Sequence, residues 1–246
     1  MCDPATDRCE PGDCPPFAVT VVIAVFTIRH GVLHLALVRR CEEPFHGLCA
    51  LPGGFVRMDE DLDQAAVREL REGPDLRRGD HWHVEQLGSY GEPGRDPRGR
   101  VVTVAYVAVF SDPPCPTRVV DAAQPTFQPL EDVGELAFDH GRILGDALAR
   151  IRSKMEYTTL GVHFLKPVFT VTELREVYET VWGVRLDAGN FQRAFRGNAC
   201  FSEAGDTRGA RGRPASLWSV VGPRGGLQLA LLDRPLARRN AVRAWT

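Results

Sequence analysis

"LPGGFVRMDEDLDQAAVRELREGPDL", residues 51–76, decides the fold. Asp61 to Glu72 reads as a helix, because Leu62, Ala66 and Leu70 recur four apart on one face and Gly73-Pro74 ends the pattern. Glu69 and Glu72 are three apart, so a helix puts both carboxylates on one face, where they can share a divalent cation. Magnesium keeps several waters and is commonly bound by one or two carboxylates together with substrate phosphates, so this pair suits a pyrophosphate ligand. Gly53 and Gly54 would let backbone come close to that ligand, and Arg68 can orient Glu60 or Glu69. Charges of this kind also occur on ordinary amphipathic helices with a solvated acidic face, so the spacing of the flanking residues has to separate the two.

The rest of the chain frames that cassette. At 246 residues it is long for one ordinary domain and comfortable for two small ones. The formal charge of −2 hides an asymmetry. Residues 1–152 hold 16 Arg/Lys against 24 Asp/Glu, and residues 153–246 hold 14 against 8. An acidic front and a basic back imply different partners, with nucleic acid the usual one for the basic half. Seven cysteines without a CxxC pair argue against a disulfide framework and fit a reducing cytosol. Cys2, Cys9 and Cys14 lack an evident fourth ligand for zinc. Residues 1–16 are acidic and Pro-rich, unlike a signal peptide, and the apolar run 17–28 is too short to span a bilayer as a helix. A soluble, cytoplasmic protein with a disordered start and no membrane partner is expected.

Around the cassette, "FAVTVVIAVFTI" (17–28) and "VLHLALVRR" (32–40) form a predicted hairpin across His30-Gly31. Strands are also expected at 83–90 and 101–110, and a helix over 136–155. The fold class is α/β (α+β): a mixed sheet with flanking helices, followed by a smaller basic unit.

The spacing Gly54-x5-Glu60-x7-Arg68-Glu69-Leu70-x-Glu72, preceded by Leu51-Pro52-Gly53-Gly54-Phe55, resembles the Nudix box. By this resemblance Glu69 and Glu72 occupy metal-binding and base positions, with Mg2+ as their cation. Gly73 stands where the family has its second metal-binding Glu, and Asp75 where it has Gly; Leu76 keeps the aliphatic. The resemblance therefore implies a retained fold with a degenerate catalytic cluster. Arg95, Arg98 and Arg100 lie in a Gly/Pro loop leading into a strand, where they can meet an anion, although any one of them also fits a solvated hairpin tip. The segment "RDPRGRVVTVAY" (95–106) resembles ADP-ribose-type Nudix domains, which makes ADP-ribose the expected ligand, with Gly53, Gly54, Phe55, Arg68, Arg95, Arg98 and Arg100 as its site.

In the basic half, Thr170 three before Glu173 is a capping-box signature, and Leu174, Val177, Tyr178 and Val181 line one face of a helix that should end at Gly183. Asp187 can cap a second helix, "AGNFQRAFR", whose Phe191 and Phe195 bury together and leave Gln192, Arg193 and Arg196 outside, with Asn190 at the flank. Such a pair fits a helix-turn-helix, since Asn and Gln can pair with adenine and Arg with guanine or phosphate. Segments 199–203 and 215–221 could pair as a wing, with Arg208, Arg211 and Arg213 at its basic tip. Thr172, at the start of the first helix, joins the expected DNA-facing set.

The two halves together resemble the Nudix-related transcriptional regulators of NAD metabolism over roughly residues 17–222, including the blocks "TELREVYE", "NFQRAF" and "GRPASLW". The resemblance implies a Nudix-fold sensor at 17–152 and a winged helix at 153–222, flanked by a terminal segment 1–16 and a tail 223–246. It also implies a homodimer that represses NAD-biosynthesis genes from a palindromic double-stranded operator and is released by ADP-ribose. Two alternatives stand beside it: an active magnesium-dependent ADP-ribose pyrophosphatase with an accessory domain, and a Nudix-fold protein whose basic half binds acidic protein or RNA.

Overall fold

The structure, a computed structural model, describes residues 16–72, 82–111, 125–208 and 215–221. Gly73 to Leu76, Cys2, Cys9, Cys14, Arg211, Arg213, the segment 1–15 and the tail from 222 lie outside the described residues.

The chain builds β1 (Ala18–Arg29), β2 (Val32–Arg39), β3 (Cys49–Ala50), β4 (Gly53–Phe55) and α1 (Leu62–Glu72). It continues through β5 (Trp82–Tyr90), β6 (Val101–Phe110), β7 (Thr126–Pro129) and α2 (His140–Tyr157). A short 3-10 segment, Thr159–Phe164, then leads to α3 (Val171–Trp182), α4 (Ala188–Arg196), β8 (Phe201–Arg208) and β9 (Ala215–Val220). The expected hairpin forms, and its turn uses His30 (φ 51°) and Gly31 (φ 75°), both left-handed as a two-residue primed turn requires.

The first sheet runs β3-β2-β1-β6-β5, with β4 added to β1 and β7 to β2. Its spine is the parallel pairing of β1 with β6, in register from Ala18↔Val101 to Thr27↔Phe110; the other pairings are antiparallel. Side chains alternate across a strand. Val21, Ile23 and Val25 therefore pack with Ala65, Ala66 and Leu70 of α1 on one face. Val22, Ala24 and Phe26 pack with Ile143, Ala147 and Ile151 of α2 on the other.

That second core does not stop at the sheet. It runs through Met155, Leu160 and Phe164 into Tyr178, Phe191, Phe195 and Phe201, so both halves share one apolar interior. The expected boundary at residue 152 falls inside α2, which continues to Tyr157. α2 also begins at His140 rather than near 136, because Phe138 adopts φ 57°, a left-handed conformation that a right-handed helix cannot include. Cys41, Cys49 and Cys200 are not joined in disulfides, and no helix among the described residues is long and apolar enough to cross a membrane.

Candidate functional site

α1 is fastened at its start by a reciprocal cap. Asp61 accepts from the Gln64 N–H at 2.7 Å, and the Gln64 amide oxygen accepts from the Asp61 N–H at 2.9 Å. About two turns after Asp61, Arg68 becomes the hub of the cassette. Its guanidinium donates twice to Glu60, at 2.6 and 2.9 Å, to Glu69 at 2.6 Å, to Glu72 at 3.2 Å and to the Phe55 carbonyl at 3.1 Å. The Arg68 hydrogen bonds hold the Glu60 carboxyl at about 2, well below its ordinary 4.5. Glu60 in turn pushes the Arg68 guanidinium pKa further up.

The two glycines serve this hub rather than an open approach. A Cβ at Gly54 would stand 2.3 Å from Glu69 Oε1, and one at Gly53 would stand 2.2 Å from the Val21 carbonyl oxygen. Gly53 lets β4 close on β1, and Gly54 makes room for the Glu69 carboxylate. On the Cβ side of each glycine the protein itself fills the space, while Gly53 remains exposed.

The donor set can be tested against a cation on the same geometry. Arg68 Nη1 bridges Glu69 and Glu72, so the charge a cation would supply between them is already present. Among the described residues no group of three His, Cys, Asp or Glu converges as a metal cluster. Among the described residues Glu69 and Glu72, with Glu60 on the same guanidinium, are the carboxylates that would hold a divalent ion here, after Arg68 had moved aside.

The second arginine set divides into unlike members. Arg95 differs from the expectation of an anion contact. Its side chain is 4% exposed, and it grips Asp139 through bonds of 2.5 and 2.9 Å. Arg98 grips Asp96 at 2.7 and 3.0 Å but remains 45% exposed, its guanidinium 5.6 Å from the rings of both Phe55 and Phe138. Arg100 donates to the Gly91 carbonyl at 2.6 Å and lies over Phe17. Phe55 joins the two sets, with its carbonyl on Arg68 and its half-exposed ring under Arg98.

Several residues of this wall escaped the sequence reading. Phe138 packs edge-on against Phe45 with centroids 4.8 Å apart, and Arg40 lies over the Phe138 ring at 4.8 Å. Phe45 (φ 66°) and Phe138 (φ 57°) are both left-handed, an unusual state for bulky residues that packing must hold in place. His140 accepts from the buried Leu51 N–H at 3.0 Å, and burial lowers its pKa to about 4, so its ring is neutral near pH 7. The only sign of these residues in the sequence is the run Phe138-Asp139-His140 opening a helical pattern.

The basic half presents a different surface. Thr170 and Glu173 complete the capping box at 3.1 and 2.7 Å, and Gly183 (φ 69°) ends α3. Asp187 caps α4 through the Asn190 N–H at 2.8 Å. Phe191 and Phe195 are buried, and Asn190, Gln192, Arg193 and Arg196 are exposed, as is Thr172 on α3. Arg193 meets the Asn190 side chain at 3.0 Å, one turn back. Glu179, unforeseen, clamps the turn between the helices. It accepts from the Leu186 N–H at 2.8 Å and from Arg175 and Arg185 at 3.2 Å.

β8 and β9 pair antiparallel from Phe201↔Val220 to Arg208↔Ala215, and Phe169 exchanges backbone bonds with Trp218 at 2.8 and 3.0 Å. The helix-helix-hairpin order of a winged helix is complete.

The NUDIX domain family matches residues 16–147, and the NrtR DNA-binding winged helix domain matches residues 161–220. The "ADPR responsive transcriptional repressor NtrR" of Acinetobacter baylyi is 34% identical over 213 residues, covering 85% of this chain and 84% of that protein. The crystal structure of Shewanella oneidensis NrtR complexed with a 27mer DNA is similar at 34% identity and a TM-score of 0.73, over 82% of this chain and 93% of that one. The NUDIX domain of the same Shewanella protein complexed with ADP ribose is similar at 34% identity and a TM-score of 0.51, over 58% and 94%. By sequence, domain order and fold, the chain belongs to the Nudix proteins that carry an NrtR-type DNA-binding winged helix.

Proposed function

We infer that the protein is an ADP-ribose-responsive transcriptional repressor whose Nudix half senses the nucleotide and whose winged helix holds duplex DNA. The observation that carries this reading is one apolar interior shared by an aromatic and arginine-lined Nudix face and a capped helix with outward Asn190, Gln192, Arg193 and Arg196. A short helix bearing amide and guanidinium groups fits the major groove of B-DNA. Similarity to a repressor named as ADPR responsive and to a Nudix domain solved with ADP ribose supports the effector.

On this reading Arg98, with Phe55 and Phe138 beside it, receives the nucleotide, and Arg68 holds the cassette in shape. Arg95 positions the loop from below. On this reading no metal is required for effector binding, and Arg68 supplies positive charge at the glutamates. The active form is a homodimer on an inverted repeat near NAD-synthesis genes, with half-site centres about 10 bp apart or a multiple of that. Hydrolysis is slow or absent because Gly73 stands where a third carboxylate would complete the cluster.

The test is fluorescence anisotropy of such a duplex with the full-length protein, titrated with ADP-ribose. Tight binding that the nucleotide releases is expected. Robust magnesium-dependent conversion of ADP-ribose to AMP and ribose 5-phosphate would make the pyrophosphatase reading correct instead. In that assay Gly73→Glu with Asp75→Gly should raise magnesium affinity above the wild-type level.

A further inference from the structure

α2 is held at both ends by bonds that leave its own domain segment. At the N-terminal end, Asp139 receives Arg95 from the 91–100 loop, and His140 receives the Leu51 N–H directly before Pro52-Gly53-Gly54. Arg95 shares the 91–100 loop with Arg98, and Leu51 lies four residues before Phe55 of β4. At the C-terminal end the contacts are reciprocal. Arg152 Nε donates to the Val181 carbonyl at 2.9 Å, and Trp182 Nε1 donates to the Arg152 carbonyl at 3.1 Å. Val181 and Trp182 are the last two residues of α3, immediately before the Gly183 turn into α4.

Between its ends α2 is stiff. Its 18 residues span about 27 Å at the helical rise, with backbone bonds closed internally. Tyr90 donates to Asp146 at 2.8 Å and Arg150 to the Leu87 carbonyl at 3.1 Å, so β5 supports its length. The end of α3 has a second anchor, since Thr180 Oγ1 donates to the Gly31 carbonyl at 3.3 Å in the β1–β2 turn. The end of α3, next to the turn into α4, is thus held both by α2 and by that hairpin.

We propose that the reciprocal Arg152–Trp182 clamp is the joint through which nucleotide bound in the Nudix half alters the seating of α4 on DNA, with Arg152 and Trp182 as positioning residues. The inference rests on the ADP-ribose-responsive reading above. A ligand shifts an equilibrium only by its difference in affinity for two arrangements, so the element joining the sites must be gripped at both ends. α2 meets that requirement: ligand-side loops hold its start, and the last turn of α3 holds its end.

The experiment measures the ratio of DNA dissociation constants with and without saturating ADP-ribose, using the full chain. In wild type this ratio should fall within the range of about 5–150 usual for allosteric coupling. Arg152→Met keeps the stem and removes the donor to Val181. Its ratio should fall toward one, while ADP-ribose affinity by calorimetry and DNA affinity without nucleotide keep wild-type values. Arg152→Lys, whose ammonium can reach the same carbonyl, should recover part of the ratio. Trp182→Phe, lacking the indole donor, should lower it from the other side. Wild-type ratios in both Arg152→Met and Trp182→Phe overturn the clamp. A wild-type protein whose DNA binding ignores ADP-ribose removes the functional reading and the clamp with it.

Discussion

Arg68 and Arg95 in the Nudix half each meet a carboxylate at 2.5–2.9 Å, whereas on α4 Arg193 meets only the Asn190 amide and Arg196 makes no hydrogen bond among the described residues. The same side chain is structural in one place and available in the other. A guanidinium already satisfied by a carboxylate contributes little new attraction to an incoming phosphate, and its loss strands a charge inside the protein. An exposed guanidinium contributes almost nothing to folding and all of its charge to a partner. Counting basic residues by half finds the DNA-facing side; partners decide what each arginine does.

The largest effect should come from Arg95→Ala. It leaves Asp139 partly buried and unpaired, and breaking a buried pair typically costs about 3–5 kcal/mol, which urea denaturation would register as a lower midpoint. A stable variant that had lost only ADP-ribose affinity would instead move Arg95 into the ligand-contacting set. Next comes the Arg193→Ala/Arg196→Ala double variant, with unfolding unchanged. Its site-specific affinity should drop by about 1–3 kcal/mol for each bidentate pairing with a base that the substitutions remove, read by gel shift. Unaltered affinity would take α4 out of the interface.

A smaller effect is expected at the Arg68 hub, and it depends on pH. Glu60 is depressed from 4.5 to about 2 in the folded protein, so its contribution is complete above 4.5 and is lost as pH falls toward 2. Arg68→Met should therefore be destabilised relative to wild type at pH 6, with the gap narrowing at pH 3. Equal gaps at both pH values would mean the hub is not what the substitution disturbs. Smallest of all, Arg211→Ala or Arg213→Ala, in the sequence between β8 and β9, should weaken binding evenly across sequences and reduce the salt slope by about one for every phosphate no longer neutralised.

What the sequence displayed and what it concealed divide by range. The capping box at Thr170–Glu173, the buried Phe191–Phe195 pair and the apolar face of α1 are local, so spacing alone located them. β3, β4 and β7 span two to four residues, too few for an alternation to register. Arg95 and Asp139 lie 44 residues apart, and no periodicity links them. The aromatic wall of Phe45, Phe55 and Phe138 draws on strand β4 and two separate loops. The cassette spacing named the fold, yet the task of Gly53 and Gly54 emerged only once Val21 and Glu69 were seen pressed against them.

The parallel pairing of β1 with β6 also constrains how this chain is made. Partners 83 residues apart must meet before the central strand has both neighbours, so loop closure precedes any reward from that ladder. During synthesis β1, a Val- and Ile-rich strand, waits until β6 has left the ribosome. Chains that stop short of residue 110 expose the strand as an unpaired apolar edge open to aggregation. α3 and α4, made later, close onto an apolar interior that the sheet has begun. The Nudix half therefore matures first, and the winged helix, made after it, completes an interior already begun.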